Sequence, residues 1–431
     1  MQHVFVVDTD RKPCNPVDPG KARILLSQGK AAVLRRFPFT IVLKAVSTEA
    51  VRPYRLKFDP GSKQTGVALV DEDSSTVVFA MEIIHRGWAI SKALKARSSI
   101  RRSRRNRHTR YRKPGLANTK SPQGWLPPSL KHRVYTVSTW KDRIRRYAPV
   151  ANLSQELVRF DMQQMENPEI SGVEYQQGTL AGYEIREYLL NKWERKCSYC
   201  GAENTPLQIE HIHAKAKGGT SRISNLALAC LDCNTKKGAL DIEAFLKNKP
   251  ELLEKILMQA KASLKDAAAV NATRWALFSR LKETGIPVET GSGGRTKFNR
   301  TSQGYPKAHW IDAACVGVSG AKVTIPADIV PLIAKTTGHG CRQICKVDKY
   351  GFPVAHISNI KTAFGYRTGD IVIAKITGKS KFAGKHTGRI AIRQRPRFVL
   401  NGFDVHPKYL TKTQKGDGYE YSKPRNSSRY Q

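Results

Sequence analysis

The residue types best suited to chemistry stand close together in the stretch LQIEHIHAKAKGG. Glu210 and His211 are neighbours there, so a carboxylate that can hold a hard cation adjoins an imidazole that can take a proton near neutral pH. Two CxxC pairs enclose the stretch and comprise Cys197, Cys200, Cys230 and Cys233. Thiolates at this spacing converge on one tetrahedral ion, and four of them leave no open coordination position. The pattern therefore predicts a structural zinc site around a reactive carboxylate and histidine.

A second set of reactive side chains is scattered along the chain in apolar surroundings. Asp59 ends an apolar strand in KFDPGSKQTG, and Glu156 lies in QELVRFD. Asp312 lies in KAHWIDAACVG, with His309 one helical turn before it on the same face. Carboxylates in apolar frames are costly unless cations neutralise them, and two divalent ions about 3.5 to 4 Å apart would assist a phosphodiester displacement. Asp161 competes with Glu156 for the second position of this cluster.

The elements that must position these residues are predicted from apolar patterning. The strands YRLKFD, TGVALV and TVVFAMEI, separated by the turns PGSKQ and DEDSS, form an antiparallel meander that carries Asp59. A strand is predicted around QELVRFDMQ, helices over residues 242–282, and a Gly-rich turn at ETGSGGRTKFNR. Residues 1–50 form a small module in which KARILLSQGKAAVL is a helix. From about Val323, alternating apolar and polar residues predict a small β-barrel or curled sheet.

The charge of the chain points to a polyanionic partner. Its 431 residues include 74 Lys and Arg against 35 Asp and Glu, and nucleic acid would relieve the self-repulsion of the resulting net charge of +39. Arginine is densest over residues 92–113, where no apolar stripe follows Ile100 to dock a helix on protein. The segment is either a disordered basic arm or, as we expect, a helix along nucleic-acid phosphates. Its contacts would come from Arg97, Arg101, Arg102, Arg104, Arg105, Arg107, Arg110 and Arg112.

The chain is expected to be a cytoplasmic protein without a membrane partner. No apolar run approaches the roughly 20 residues that span a bilayer, and the first residues have no signal-peptide architecture. The remaining cysteines show no framework spacing, which argues against disulfides and for a reducing compartment.

The segment from about 190 to 240 resembles the HNH nuclease module, a ββα-metal fold. The resemblance implies that His211 is the general base that activates water for attack on phosphorus. It also implies that Glu210 and Asn234 help bind one Mg²⁺ and that Asn225 orients the His211 ring. A neutral imidazole and an oxygen-ligated cation suit this chemistry.

The scattered carboxylates resemble those of the RuvC/RNase H-like fold divided into three segments. The resemblance implies that Asp59 is the bridging ligand of two Mg²⁺ ions and that Glu156 is the second ligand. Asp312 and His309 would form the third part of the cluster. The sequence ELVRFD favours Glu156 over Asp161, because it resembles the acidic residue that this family places three positions before an arginine.

The order of these parts resembles that of the IscB family, transposon-encoded RNA-guided nucleases related to the type II CRISPR effectors. It implies a multidomain α/β protein with a split RuvC core, an inserted HNH module, an arginine-rich bridge helix and a small C-terminal β-barrel. The implied domains are a PLMP-like N-terminal domain (1–50), RuvC segment I (51–85), the bridge helix (86–115), a linker with RuvC segment II (116–190), the HNH domain with its zinc knuckles (191–245), RuvC segment III (246–322) and a β-rich domain (323–431) that contacts RNA and the target-adjacent motif.

The resemblance also implies partners and a reaction. A guide ωRNA would pair with one strand of double-stranded DNA beside an adjacent motif, within a monomeric ribonucleoprotein. HNH would cut the paired strand and RuvC the displaced strand. Two alternatives stay open: a protein-guided endonuclease of the resolvase or homing type, and an RNA-guided binder whose catalytic sites have decayed.

Overall fold

The computed structural model describes residues 2–107, 125–157, 189–190, 192–203, 205–261, 265–337, 345–356, 360–378, 380–422 and 424. Three of the predicted site residues, Arg110, Arg112 and Asp161, lie outside these ranges. Within them the fold is a mixed α/β arrangement with separate cores, as predicted.

The N-terminal module is a small sheet with one helix. Its elements are β1 (Phe5–Val7), α1 (Pro19–Ser27), β2 (Ala31–Arg35) and β3 (Thr40–Leu43), and β3 pairs with β1 in parallel and with β2 antiparallel. The helix is shorter than predicted. Gly29 adopts a positive φ of 69° just after it, and the chain then reverses into β2.

The predicted meander is confirmed as β4 (Tyr54–Pro60), β5 (Gln64–Asp71) and β6 (Thr76–Ile84). It is followed by α2 (Gly87–Asn106), α3 (Pro128–Arg145) and β7 (Val150–Glu156). The strand predicted around QELVRFDMQ lies earlier than expected, so that Glu156 is the last residue of β7. This strand pairs in parallel with β4.

The cysteine-containing module consists of a two-stranded sheet with helices around it. Its elements are β8 (Leu207–His211), β9 (Leu226–Cys230), α4 (Leu231–Lys237), α5 (Ile242–Phe245) and α6 (Pro250–Lys261). Leu207, Leu228 and Ile256 belong to an apolar core confined to this module, which also takes in residues 189–190 and Trp193. The module therefore has a core of its own.

The chain then returns to the sheet that contains β4 to β7. The elements of this part are α7 (Lys265–Lys282), β10 (Val288–Gly291), α8 (Gly293–Ser302), α9 (His309–Ala314) and β11 (Leu332–Thr336). The predicted Gly-rich turn is wrong, because ETGSGGRTKFNR forms β10 and α8. Ser292 caps α8 by accepting a hydrogen bond from the backbone N–H of Arg295.

The C-terminal part contains the predicted curled sheet. Its strands are β12 (Cys345–Val347), β13 (Pro353–His356), β14 (Ile371–Ile376), β15 (Gly384–Ala391), β16 (Phe398–Leu400), β17 (Phe403–Val405), β18 (Leu410–Gln414) and β19 (Tyr419–Ser422). The five strands from β14 to β18 form one antiparallel sheet, in the order β17-β16-β15-β14-β18. The strands β11 and β19 do not belong to it, although the predicted boundary at residue 323 placed them there.

Those two strands instead extend the central sheet, whose order is β10-β7-β4-β5-β6-β11-β19. Along β4, side chains alternate between the faces of this sheet. Leu56 and Phe58 pack in the core with Trp140 of α3. Lys57 points to the opposite face, where it contacts the end of α9. The sheet is thus covered on both sides, and α9 packs on one face against β4 and β5.

Candidate active sites

The predicted carboxylate cluster assembles at one edge of the central sheet. Asp59 and Glu156 stand at the same end of the parallel neighbours β4 and β7, because Phe58 is opposite Gln155 in the register. Asp312 and His309 lie on α9, which packs on β4 and β5. The structure therefore brings residues from three distant parts of the sequence to one place.

The approach of α9 to the sheet depends on Gly66, the last residue of the stretch KFDPGSKQTG. A Cβ atom on Gly66 of β5 would lie 1.8 Å from the carbonyl oxygen of His309, which is impossible without moving the helix. Glycine at this position therefore allows His309 to reach Asp59, with 3.5 Å between the ring Nδ1 and the carboxylate Oδ2.

The surroundings of the cluster shift the pKa values of its members in different directions. Burial opposes ionisation of Asp59, but His309, Arg274 and Arg195 outweigh it and lower the pKa of Asp59. Burial also opposes protonation of His309, yet its hydrogen bond to Asp59 raises the pKa of His309. For Asp312, burial and the charge of Asp59 raise the pKa. Asp59 is therefore more readily ionised than Asp312, which suits the bridging role predicted for it.

Sequence reasoning missed several residues that contact this cluster. Arg274 of α7 bonds Glu156, with 2.8 Å between Nη2 and Oε1, and Arg300 of α8 bonds Asp312, with 2.9 Å between Nε and Oδ1. Glu82 of β6 is buried beside His309. The sequence did indicate that Arg274 faces the protein interior, because it lies on the same stripe of α7 as the buried Leu277 and Leu281.

Lys57 anchors the helix that carries two members of the cluster. Its side chain is wholly buried, and its Nζ donates to the carbonyl oxygens of Ala314 and Val316 at 2.9 and 3.0 Å. These carbonyls lie at the C-terminal end of α9, where a cation is favourable. Burial lowers the pKa of Lys57 to about 8. Since Lys57 is two residues before Asp59, one strand both supplies a carboxylate and holds α9 against it.

The donor atoms of this cluster suit hard divalent cations, which take carboxylate oxygens. A guanidinium already lies between two of its carboxylates, because Arg274 Nη2 is also 3.7 Å from Asp59 Oδ1. Within the described ranges, the four cysteines are the only group of three or more His, Cys, Asp or Glu side chains whose metal-ligating atoms all lie within 4.8 Å of one another. The ligating atoms of the acidic cluster are therefore not gathered as closely as the cysteine sulfur atoms.

The histidine site is built on β8 and the loop that leads to β9. His211 is half-buried, and its Nε2 lies 3.4 Å from the hydroxyl of Ser221. Burial, together with Lys215 and Lys237, lowers the pKa of His211 against the effect of Glu210. The ring is therefore neutral at physiological pH, which is the state that a general base requires.

Glu210 points into the core of the module. Its Oε1 accepts a hydrogen bond from Lys237 Nζ at 2.6 Å, and its Oε2 contacts the hydroxyl of Tyr199. Lys237 is itself buried and also donates to the carbonyl of His211 at 2.9 Å. An ion at Glu210 would share the carboxylate with these two donors.

The side chains of Asn225 and Asn234 have different hydrogen-bond partners. The amide of Asn225 bonds the backbone N–H and carbonyl of His213 and the carbonyl of Thr220, so it holds the loop, and any effect on the His211 ring is indirect. That Asn225 orients the His211 ring stays a prediction. Asn234 of α4 donates to Gln208 Oε1 at 2.6 Å. That Asn234 and Glu210 share one ion stays a prediction.

The four cysteines fit a zinc ion. Their sulfur atoms all lie within 4.8 Å of one another, and Cys200 Sγ is 3.8 Å from Cys230 Sγ. A tetrahedron with Zn–S bonds of about 2.3 Å requires sulfur atoms about 3.8 Å apart. Burial disfavours the Cys197 thiolate, but backbone hydrogen bonds lower its pKa to about 7. The cluster would hold zinc as a closed structural site.

Replacing Cys230 with serine should remove bound zinc and destabilise the module around His211. Structural zinc supplies much of the folding free energy of a small metal-bound module. Zinc content measured by mass spectrometry should fall from about one per chain to near zero. The same change at Cys345, which lies outside the cluster, is the control; equal zinc in both variants would contradict the assignment.

The arginine-rich segment forms the helix α2. Arg97, Arg101, Arg102, Arg104 and Arg105 are exposed along it, and Arg107 follows it. Its end contacts the β12–β13 hairpin, where the Arg107 guanidinium stacks 3.9 Å from the Phe352 ring centre. Most of the helix surface thus remains available to a binding partner.

No helix in the described part of the chain is long and apolar enough to cross a membrane.

Comparison with known proteins identifies two segments. The family described as RRXRR protein matches residues 4–178, and the HNH endonuclease family matches residues 197–240. No curated protein matches the chain.

Solved structures of Streptococcus thermophilus Cas9 in complex with the AGAA and GGAA PAMs are similar at 13% identity, with TM-scores of 0.23 and 0.22. They cover 62% and 61% of this chain and 32% of theirs, so the chain spans about a third of the length of these proteins. An RRXRR segment followed by an HNH endonuclease module supports the resemblance of this chain to the IscB-like nucleases.

Proposed function

We propose that the protein is an RNA-guided endonuclease of double-stranded DNA. The observation that carries this proposal is the presence of two separate nuclease-type sites in one chain, joined to an exposed arginine helix. The site around His211 would cut the guide-paired strand, and the cluster around Asp59 would cut the displaced strand. A protein that opens a duplex needs both activities to cut both strands.

At the histidine site, His211 would take the proton of the attacking water. Asn225 fixes the loop behind it, and Lys237 holds its backbone carbonyl. Glu210 and Asn234 are the proposed holders of one magnesium ion. Magnesium would supply stabilisation of the charge that develops on the phosphate.

At the acidic cluster, Asp59, Glu156 and Asp312 are the proposed holders of two magnesium ions. Burial opposes protonation of His309, but its hydrogen bond to Asp59 raises the pKa of the ring, which is 37% exposed at the edge of the cluster. A proton held at that position can be transferred to the oxygen that leaves during the displacement. Arg300 and Lys57 keep the helix and its carboxylate in place.

The remaining elements are suited to binding RNA and DNA. The exposed arginines of α2 would contact the phosphates of a guide ωRNA, and the C-terminal curled sheet would face the RNA and the target-adjacent motif. The division into domains given above and a monomeric ribonucleoprotein in the cytoplasm are part of this proposal. The net charge of +39 supports it, because a bound polyanion neutralises that charge.

Purification from cells that express the native locus tests the proposal. After a wash in high salt, we expect one abundant structured RNA with a variable end, and Mg²⁺-dependent cleavage of DNA that matches this end. Cleavage that proceeds without RNA would replace the proposal with a protein-guided endonuclease. RNA-directed binding without cleavage would replace it with a decayed nuclease.

Replacing Arg101, Arg104 and Arg105 together with alanine should weaken RNA binding and reduce the dependence of affinity on salt. Each phosphate contact contributes about −0.9 to −0.7 to the slope of log affinity against log salt, so three lost contacts reduce it by about two units or more. Filter binding over a series of salt concentrations measures this. Alanine at the exposed Lys247, Lys249 and Lys255 removes equal charge elsewhere; an equal effect in both triple variants would refute a specific role for α2.

A further inference from the structure

We infer that Arg274 is the resident counter-charge of the acidic cluster and sets the magnesium concentration at which the cluster fills. The inference rests on the proposed function of that cluster. No motif predicted this residue, and it belongs to α7, outside the strands and the helix that carry the predicted ligands.

The guanidinium of Arg274 occupies the space between two of the carboxylates. Its Nη2 is 2.8 Å from Glu156 Oε1 and 3.7 Å from Asp59 Oδ1. Its Nε donates to the carbonyl of Pro60 at 2.9 Å. One side chain therefore connects the end of β4 to the end of β7, where the two proposed ligands project.

This contact is buried, and further interactions fix the part of α7 that carries Arg274. The Arg274 side chain is only 4% exposed, against 11% for Asp59 and 6% for Glu156. The amide of Gln155 donates to the Arg274 carbonyl at 2.8 Å, and Leu277 anchors the next turn of α7 in the core. Water screens such a pair weakly, so the charge of Arg274 acts strongly on both carboxylates.

Arg274 has two opposing effects on a divalent cation. It pairs with Asp59 and with Glu156 and so holds the two carboxylates close together, which prepares the ligands. It also places a positive charge beside them, which repels the cation. Its Nη1 is buried and has no hydrogen-bond partner within the described ranges, so the guanidinium is not fully satisfied by its present contacts. We infer that repulsion dominates, and that the cluster fills only at higher magnesium concentration than the carboxylates alone would require.

The test compares Arg274→Gln, which removes the charge but keeps hydrogen-bond donors, with Arg274→Lys, which keeps the charge. The control is Arg280→Met on the same helix, where the side chain is exposed against Tyr135. Each full-length variant is dialysed free of magnesium, and its unfolding temperature is measured over a magnesium series. Displaced-strand nicking is measured over the same series.

For Arg274→Gln we expect a lower unfolding temperature without magnesium, a larger rise on its addition, and a midpoint concentration about tenfold lower or more, which corresponds to about 1.4 kcal/mol. Arg274→Lys and Arg280→Met should keep the wild-type midpoint within about threefold. An unchanged or higher midpoint in Arg274→Gln overturns the inference. An equal shift in Arg274→Lys also overturns it, because packing rather than charge would then be responsible.

The Asp59→Ala variant separates this inference from the proposed function. If the wild-type protein shows a magnesium-dependent rise in unfolding temperature that Asp59→Ala lacks, the cluster binds magnesium and the Arg274 comparison stands alone. If the two proteins respond equally, the cluster does not bind magnesium, and both the proposed function and the inference fail.

Discussion

Replacing His211 with alanine should leave a nickase that cuts only the displaced strand. The neutral ring of His211 is the group available to take a proton from water at this site, and such proton transfer contributes about 10²- to 10⁴-fold to a rate. We therefore expect target-strand cleavage to fall by that factor, while displaced-strand cleavage stays within a few-fold of the wild-type rate. Strand-specific labels on one duplex measure both rates together.

His213 offers a matched control, because it is a histidine two residues after His211, in the loop that follows β8. It is exposed, its Nε2 lies 3.1 Å from the carbonyl of Lys217, and its Nδ1 is 3.8 Å from Asp241. His213→Ala should keep most target-strand cleavage. If His211→Ala continues to cut the target strand at the wild-type rate, the base is another residue, and the assignment of the HNH site is wrong.

Replacing Asp59 with alanine should have the opposite result, with loss of displaced-strand cleavage and retention of target-strand cleavage. Metal ions at such a cluster stabilise charge by several kcal/mol, which corresponds to about 10³-fold or more in rate. Asp59 is also the partner of His309 and lies near Arg274, so its removal disrupts the cluster at its centre. Labelled duplexes again report the two strands separately.

Asp73 is the control for this change, since it is an exposed aspartate in the β5–β6 turn of the same meander. Asp73→Ala should cut both strands normally. Loss of both cuts in Asp59→Ala would show that the substitution unfolds the central sheet. In that event the variant's circular dichroism and unfolding temperature would also differ from those of Asp73→Ala.

The sequence was informative wherever local chemistry decides structure. Turn residues and alternating strands predicted the meander, and the spacing of CxxC pairs predicted the sulfur cluster. The position of Glu156 at a strand end was harder to predict, because apolar residues continue after it in QELVRFDMQ and the strand boundary is set by pairing with β4. Helix α1 ended early for a local reason, Gly29, that the apolar pattern concealed.

The grouping of Asp59, Glu156 and Asp312 was predicted from the family resemblance, but local sequence patterns could not predict other contacts between distant segments. Nothing local to α7 indicates that Arg274 meets Glu156, since the two are 118 positions apart. The pairing of β11 with β6 and β19 depends on edges that become available only in the folded sheet. Glu210 appeared to be an open metal ligand, yet its burial depends on Lys237 and Tyr199 approaching from separate elements.

The separation in sequence of these contacts has a consequence for the order of folding. The contacts that fix Glu210 are short-range, since they join it to residues 11 and 27 positions away. Those of the central sheet are long-range: His309 meets Asp59 from 250 positions away, and Tyr421 meets Arg143 from 278. Folding slows as contacting residues lie farther apart. The module around His211 should therefore form before the acidic cluster, and under the proposed function a newly made chain would become able to cut the target strand before the displaced strand.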